Sequence, residues 1–247
     1  MKIIQLGQIK EIIKSNSTIA IGGFTINRKP ISIIKEIAES DAKNLTLYTL
    51  AGSLDIDLLV EKSKVAKIMA AYVGYEGLGV SKIVRHAVES GGVIFEDLTE
   101  ILYYLRLKAG ATGVPFIPTS SIIKSDIFKI NTACKKIKDP FTNGELCAVS
   151  SINPDFSIIH AQKADKFGNI LIDEPDFCER EMAQASKTRI FSVEKIVRRL
   201  KPSEITIPSQ FVDYIIPAKR GAYPTGCSKN YSPDIKSILN YLMKNDK

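Results

Sequence analysis

Two glycines followed by a basic pair are the densest chemical signal in the chain. The stretch runs Ile19-Ala20-Ile21-Gly22-Gly23-Phe24-Thr25-Ile26-Asn27-Arg28-Lys29-Pro30. Gly22 and Gly23 lack a Cβ, so backbone can approach a ligand closely there. Amides freed at such a turn can face a phosphate, a carboxylate or a thioester oxygen. Arg28 and Lys29 would add fixed positive charge where the next helix begins. A third glycine is missing for GxGxxG, and no Gly-Lys-Ser or Gly-Lys-Thr follows, so a dinucleotide site and a P-loop both fit poorly. The plain alternative is a tight structural turn with a solvated basic pair.

Acids come next. Glu76 and Gly77 sit in Tyr75-Glu76-Gly77-Leu78-Gly79, directly after a strand-like run. They are expected either to face a cleft or to form an ordinary loop. Glu100 closes the run Glu96-Asp97-Leu98-Thr99-Glu100 at the start of a helical pattern, where acids are also favoured by the helix dipole. Ser53, after Ala51-Gly52, is a further candidate for facing a substrate. His86 falls mid-helix and reads as a surface or packing residue. His160 ends an apolar run and reads as structural at least as readily as functional. No serine–histidine–acid set assembles. Cys134, Cys147, Cys178 and Cys227 are scattered without a CxxC pair, so free thiols are expected and a metal site is not.

Composition narrows the classes. Of 247 residues, 45% are hydrophobic and 25% charged, which excludes global disorder and collagen. No window reaches the ~18 uninterrupted apolar residues of a membrane span. The opening Met1-Lys2-Ile3-Ile4-Gln5-Leu6 carries no signal-peptide core, so a cytoplasmic protein without a membrane partner is expected. The net charge of +7 suits an anionic ligand, such as a coenzyme with several phosphates. The basic residues are spread along the chain and no RNA-binding aromatic signature or zinc-finger spacing is present, so nucleic acid is not expected.

The elements that must position these residues follow from periodicity. Residues 6–14 form a short amphipathic pattern. Thr18 to Ile21 reads as a strand, and Pro30 opens a helix with Ile33, Ile34, Ile37 and Ala38 on one face. Strands at Leu45–Thr49, Val65–Val73 and Val93–Phe95 alternate with helices at Asp55–Lys62, Ser81–Ser90 and Thr99–Ala111. Further strands are expected at Phe156–His160, Ile170–Ile172, Arg189–Ser192 and Phe211–Ile216. A helix over Glu179–Ala185 and a terminal amphipathic helix from Pro233 complete the pattern. This alternation predicts an α/β fold, a mainly parallel sheet with helices on both faces. One domain over 1–247 is expected, with a less regular insertion or flap around 119–147.

Gly22-Gly23-Phe24-Thr25 followed by Arg28-Lys29-Pro30 resembles the glycine-rich signature of the A-type subunit of family I CoA-transferases. It is most similar to the glutaconate CoA-transferase branch, since the wider family signature has glycine at the position of Arg28. Further blocks follow in the family's order: Asn44-Leu45-Thr46 with Ala51-Gly52, Gly113-Val114-Pro115-Phe116-Ile117-Pro118, Ile159-His160-Ala161-Gln162 with Gly168-Asn169, and Gly221-Ala222-Tyr223-Pro224. The resemblance implies the CoA-transferase fold (NagB/RpiA/CoA-transferase type) and a B-type partner, as a heterodimer or dimer of heterodimers. It implies coenzyme A as substrate and no permanently bound cofactor. A glutamate of the B-type chain would attack the acyl-CoA, pass through an anhydride to a glutamyl-CoA thioester, and hand CoA to a second carboxylic acid. The Ser-Glu-Asn-Gly motif of that nucleophile is absent here. This chain would therefore supply substrate or CoA contacts from Gly22, Gly23, Phe24, Arg28, Lys29, Ser53, Glu76 and Gly77, with loop amides stabilising oxyanions.

The Arg28-Lys29-Pro30 loop also resembles the A-type chain of steroid-ring-opening CoA-thioester hydrolases. So do Ser40-Asp41, Leu45-Thr46, Thr49 to Gly52 and Phe191-Ser192-Val193-Glu194-Lys195-Ile196-Val197. That likeness implies an alternative function, hydrolysis of a cyclic acyl-CoA with Glu100 as a catalytic acid or base.

Overall fold

Strands whose residues are buried on both faces, rich in β-branched side chains, can only sit inside a sheet covered on both sides. The computed structural model, which describes residues 1–244, has such a sheet at its centre. Its strands are β1 (Lys2–Ile3), β2 (Thr18–Ile21), β3 (Leu45–Gly52), β4 (Val65–Val73), β5 (Ile94–Asp97), β9 (Phe156–Asp165), β10 (Ile170–Leu171), β11 (Thr188–Val197) and β12 (Tyr214–Pro217). The spatial order is β1-β12-β11-β9-β2-β3-β4-β5, parallel throughout, with β10 pairing antiparallel to β9. A second sheet, β6 (Phe116–Thr119), β7 (Cys134–Lys138) and β8 (Glu145–Ser150), is antiparallel in the order β6-β8-β7.

Alternation along the strands sends side chains to two cores. Ile19, Ile21, Leu45, Leu47 and Ile68 pack with α1 (Ile9–Ile12), α2 (Ile31–Ala38), α3 (Leu54–Glu61) and α4 (Lys82–Glu89). Ala20, Tyr48, Leu50 and Met69 pack on the opposite face with α5 (Glu100–Thr112) and α7 (Glu179–Ala185). Helix ends carry the expected chemistry. Ser81 accepts the Val84 amide at 3.0 Å and Thr99 the Leu102 amide at 3.2 Å. Gly113 ends α5 with φ 71°, a left-handed cap that suits glycine.

Several readings change. The pattern over 6–14 is a 3-10 turn, Leu6–Gln8, leading into the short α1. β9 does not end at His160 but runs to Asp165, because β11 pairs with it from Phe156 to Asp165. The run 119–147, irregular by composition, holds β7, β8 and the short α6 (Asp126–Ile130), paired in a register that the turn Asp139–Gly144 closes. The terminal helix α8 spans Ile235–Lys244; the last three residues of that expectation, 245–247, lie outside the described residues.

The chain reverses its direction of strand addition between β2 and β9. From β2 the sheet grows through β3, β4 and β5 on one side, and through β9, β11 and β12 on the other. The crevice outside the strand C-termini at such a switch point is where open α/β sheets bind ligands. The Gly22-Gly23 loop leaves β2 at this point.

Candidate active site

The glycine loop is built from inward-facing bonds. Gly22 N donates to Ile158 O at 3.0 Å, Phe24 N to Asn27 O at 2.9 Å and Thr25 N to Ala51 O at 3.1 Å. Gly23 N donates to Glu179 Oε1 at 3.0 Å. Gly23 has φ 79°, and a Cβ there would lie 2.5 Å from Arg28 O. Glycine is needed at Gly23 so that the turn can close on itself. Each of the amides of residues 22–25 therefore has an acceptor within the chain.

Arg28 and Lys29 are also engaged within the chain. Their side chains are 1% and 0% exposed. Arg28 Nε meets Glu174 at 2.7 Å, Nη2 meets Glu179 at 2.6 Å, and Nη1 donates to His160 O at 3.1 Å. Lys29 Nζ meets Asp55 at 3.2 Å and donates to Thr49 Oγ1 at 3.2 Å. Burial alone would raise Glu179, but Arg28, a hydrogen bond with Asp176 and the Gly23 and Phe177 amides hold it at about 2. Burial pulls Lys29 below its ordinary value against the opposing pull of Asp55. The basic pair is thus engaged in internal ion pairs and presents no exposed charge. Ser53 is also internal, fully buried, with its Oγ donating to Thr25 O at 2.5 Å.

The open space lies one step along the sheet. A cavity of about 480 Å³ sits over the C-terminal ends of β3 and β4 and the loops after β2 and β5. Phe24, Leu50, Ala51, Ala71 and Leu98 give it apolar walls; Tyr72, Thr25 and Thr99 add hydroxyls; Glu76 and Glu100 stand at its rim. Phe24 stacks on Phe177 with ring centroids 4.6 Å apart, which stiffens one wall. Of the expected site residues, the structure brings together Phe24, Glu76 and Glu100. Gly77 lies beside them on an exposed turn with open space around it.

Glu76 is held in place. Its Oε1 accepts from Thr25 Oγ1 and, at 3.2 Å, from Asn27 Nδ2. It begins the 3-10 turn Glu76–Leu78 with φ 54°, and Thr25 has φ 46°. Left-handed backbone at two facing non-glycine residues is strain of the kind that collects at functional sites. The turn is clamped from below by Asp57 of α3. Asp57 accepts Tyr75 Oη and Ser81 Oγ, both at 2.5 Å, from the two sides of the turn. Burial pushes the Asp57 carboxyl up to about 7 against those two hydrogen bonds. Glu100, the first residue of α5, is exposed and makes no ion pair or side-chain hydrogen bond among the described residues.

Sequence reasoning missed Thr25, Asn27, Tyr72, Asp57, Glu174 and Glu179. One signal was available: Asp55 and Asp57 interrupt an otherwise apolar helix and are fully buried. His86 is exposed on α4. His160 is buried, with Nδ1 2.8 Å from Ser192 Oγ and Nε2 2.9 Å from Glu194 Oε1, the residues opposite and two further along β11. Burial lowers its pKa despite Glu194. Cys227 lies within 4.8 Å of this pair, and burial pushes its thiol up to about 12. The pair is a direct hydrogen bond that ties β9 to β11.

Against this geometry the comparisons decide the family. The sequence model described as Coenzyme A transferase matches residues 7–218. The chain belongs to the coenzyme A transferase family. The chain is 33% identical over 240 residues to an uncharacterized protein of Archaeoglobus fulgidus, covering 95% of this chain but only 54% of that longer protein. It is 30% identical to the A-type subunit of glutaconate CoA-transferase from Acidaminococcus fermentans, covering 92% of this chain and 77% of the relative. It is 26% identical to the cholesterol ring-cleaving hydrolase IpdA subunit of Rhodococcus jostii, covering 97% and 86%. Among solved structures, glutaconate coenzyme A-transferase of Acidaminococcus fermentans superimposes with TM-score 0.93 at 28% identity, covering all of this CoA-transferase chain and 85% of that one. A variant of the decarboxylase AibA/AibB also superimposes with TM-score 0.93, at 26% identity over 99% and 93%. No helix among the described residues is long and apolar enough to cross a membrane.

Proposed function

We propose that this chain is the A-type half of a cytoplasmic, two-subunit CoA-transferase that moves CoA from an acyl-CoA to a carboxylic acid. The observation that carries the reading is the cavity over β3 and β4, with apolar walls and two acids at the rim but no Ser-Glu-Asn-Gly nucleophile in the chain. A B-type partner, in a heterodimer or a dimer of such heterodimers, would close the cavity and bring the nucleophilic glutamate. That carboxylate adds to the thioester carbonyl and expels CoA thiolate, leaving a mixed anhydride. The thiolate then attacks the glutamyl carbonyl and releases the first acid, storing the thioester energy on the enzyme. An acceptor carboxylate reverses both steps. CoA is a substrate here and no permanent cofactor is invoked. This chain's share is to wall the acyl group with Phe24, held by Phe177, and to present Glu76 in a fixed position.

The test is to purify the chain with whatever accompanies it, add acyl-CoA, and locate the adduct by mass spectrometry. The expected adduct is CoA joined with loss of water to a glutamate of the partner. An adduct on Glu76 or Glu100 would overturn the assignment.

A second reading has its own observation. Glu100 has no partner among the described residues and lines the same cavity, which suits a group that moves a proton to or from substrate or water in a ring-opening hydrolase. The two readings separate on the partner's glutamate and on Glu100.

A further inference from the structure

An acyl group brings an oxygen into this cavity, and an oxygen taken out of water needs a hydrogen-bond donor. Glu76 and Glu100, when ionised, only accept. Thr25 Oγ1 already donates to Glu76, and Thr99 Oγ1 holds the Leu102 amide at the start of α5. Tyr72 Oη is the remaining side-chain hydroxyl of the lining, and it has no hydrogen-bond partner among the described residues. A glycine makes its place. Tyr72 stands near the end of β4, opposite Ala51 of β3, and its phenol lies against the backbone of Gly74. A Cβ at Gly74 would run into Tyr72 Oη and lie 2.6 Å from Tyr72 Cζ. Gly74 is itself fixed: its amide donates to Gly52 O at 2.9 Å, and its backbone bridges to Val80 across the turn that carries Glu76. A side chain at Gly74 would take the space that the phenol occupies.

We propose that Tyr72 is a substrate-contacting residue: its phenolic O–H donates to the carbonyl oxygen of the bound acyl group, and Gly74 keeps open the place from which it does so. The inference rests on the reading of this cavity as the acyl site and adds the group that receives the acyl oxygen. A neutral phenol serves both forms of the substrate, since the thioester carbonyl of an acyl-CoA and the carboxylate of a free acid each accept from it. The same bond orients the acyl group. Turned the other way, its oxygen would rest against Phe24, Leu50 or Leu98 and lose its hydration without return.

The experiment uses two unreactive CoA thioethers: S-acetonyl-CoA, which carries a carbonyl oxygen, and S-propyl-CoA, which has the same carbon chain without it. Each is titrated to equilibrium against the full chain together with the subunit that co-purifies with it, and the ratio of the two affinities is the readout. Tyr72→Phe keeps the ring and removes the donor. It is expected to shift the ratio about three- to tenfold toward S-propyl-CoA, with S-propyl-CoA itself binding as before. Gly74→Ala, which displaces the phenol without removing it, is expected to shift the ratio in the same direction. A ratio unchanged in Tyr72→Phe overturns the inference, as does failure of both thioethers to bind the unaltered protein. The wider reading fails differently. A shifted ratio in a protein that exchanges no CoA between acids removes the transferase reading and leaves this inference standing. CoA exchange with an unshifted ratio removes the inference and leaves the transferase.

Discussion

Arg28 and Glu100 are both charged residues near the C-terminal edge of one parallel sheet, yet the structure uses them in opposite ways. Around Arg28 every charge is buried and matched: Arg28 with Glu174 and Glu179, Lys29 with Asp55. Around Glu100 and Glu76 the acids are exposed and no cation lines the space among the described residues. A buried ion pair that keeps its partner fixes geometry, because losing either member leaves an uncompensated charge in a low-dielectric interior. An exposed acid beside an apolar hollow keeps its freedom to move a proton. The glycine loop is the frame, and the chemistry is displaced to its neighbour.

The comparison breaks most visibly at the frame. Glu179→Gln should leave the buried Arg28 with Glu174 as its remaining acid, costing about 3–5 kcal/mol, or a fall in Tm of about 10 °C for a chain of this size. A thermal melt unchanged from the unaltered protein would mean that the ion cluster is not structural. Gly23→Ala comes next. Its φ of 79° and the 2.5 Å approach to Arg28 O predict a loss of about 1–3 kcal/mol of stability, read as a lower denaturant midpoint. For the same reason Gly23→Val would not be a clean catalytic probe, since it disturbs the fold before it disturbs turnover.

At the rim the effects belong to activity. Glu100→Gln should slow a ring-opening hydrolase by about a hundredfold or more, whereas a transferase whose nucleophile sits on the partner should retain most of its kcat. Steady-state rates on each substrate class decide between them, and the stability of the variant should match that of the unaltered chain.

The smallest effect is the pH dependence of the clamp. The Asp57 carboxyl sits at about 7, above its ordinary value of 3.8. Between those values the folded chain holds a proton that the unfolded chain has released. The contribution of Asp57 therefore favours folding at low pH and fades as pH rises toward 7. Asp57→Asn should flatten that slope in chemical denaturation while weakening the hold on Tyr75 and Ser81, with KM rising more than kcat falls. A slope unchanged in the variant would show that other groups carry it.

Much of the fold was legible because periodicity is local. Val65–Val73 and Glu179–Ala185 fall where alternation and helical spacing put them. Ser81, Thr99 and Gly113 end helices by contacts within one turn. The strands that were read short, β9 and β11, owe their extra length to each other, and a pairing across the sheet leaves no mark in either segment. The small sheet β6-β8-β7 was missed for the same reason. Its strands are only partly buried, so none carries a strong alternation.

The sequence by itself determined the α/β alternation, the glycine turn after β2, the helix caps and, through ordered motif blocks, the coenzyme A transferase family. Those are properties of neighbours in the chain. Only the tertiary structure decided that Arg28 and Lys29 are internal, that the amides of the glycine loop are already bonded, and that Phe24, Glu76 and Glu100 share one cavity. Arg28 meets Glu179 across 151 residues, and whether a charge faces ligand or interior depends on which distant acid the fold brings to it. Burial and pairing are decided in three dimensions, where the low dielectric of the interior makes an unmatched charge too unfavourable to remain.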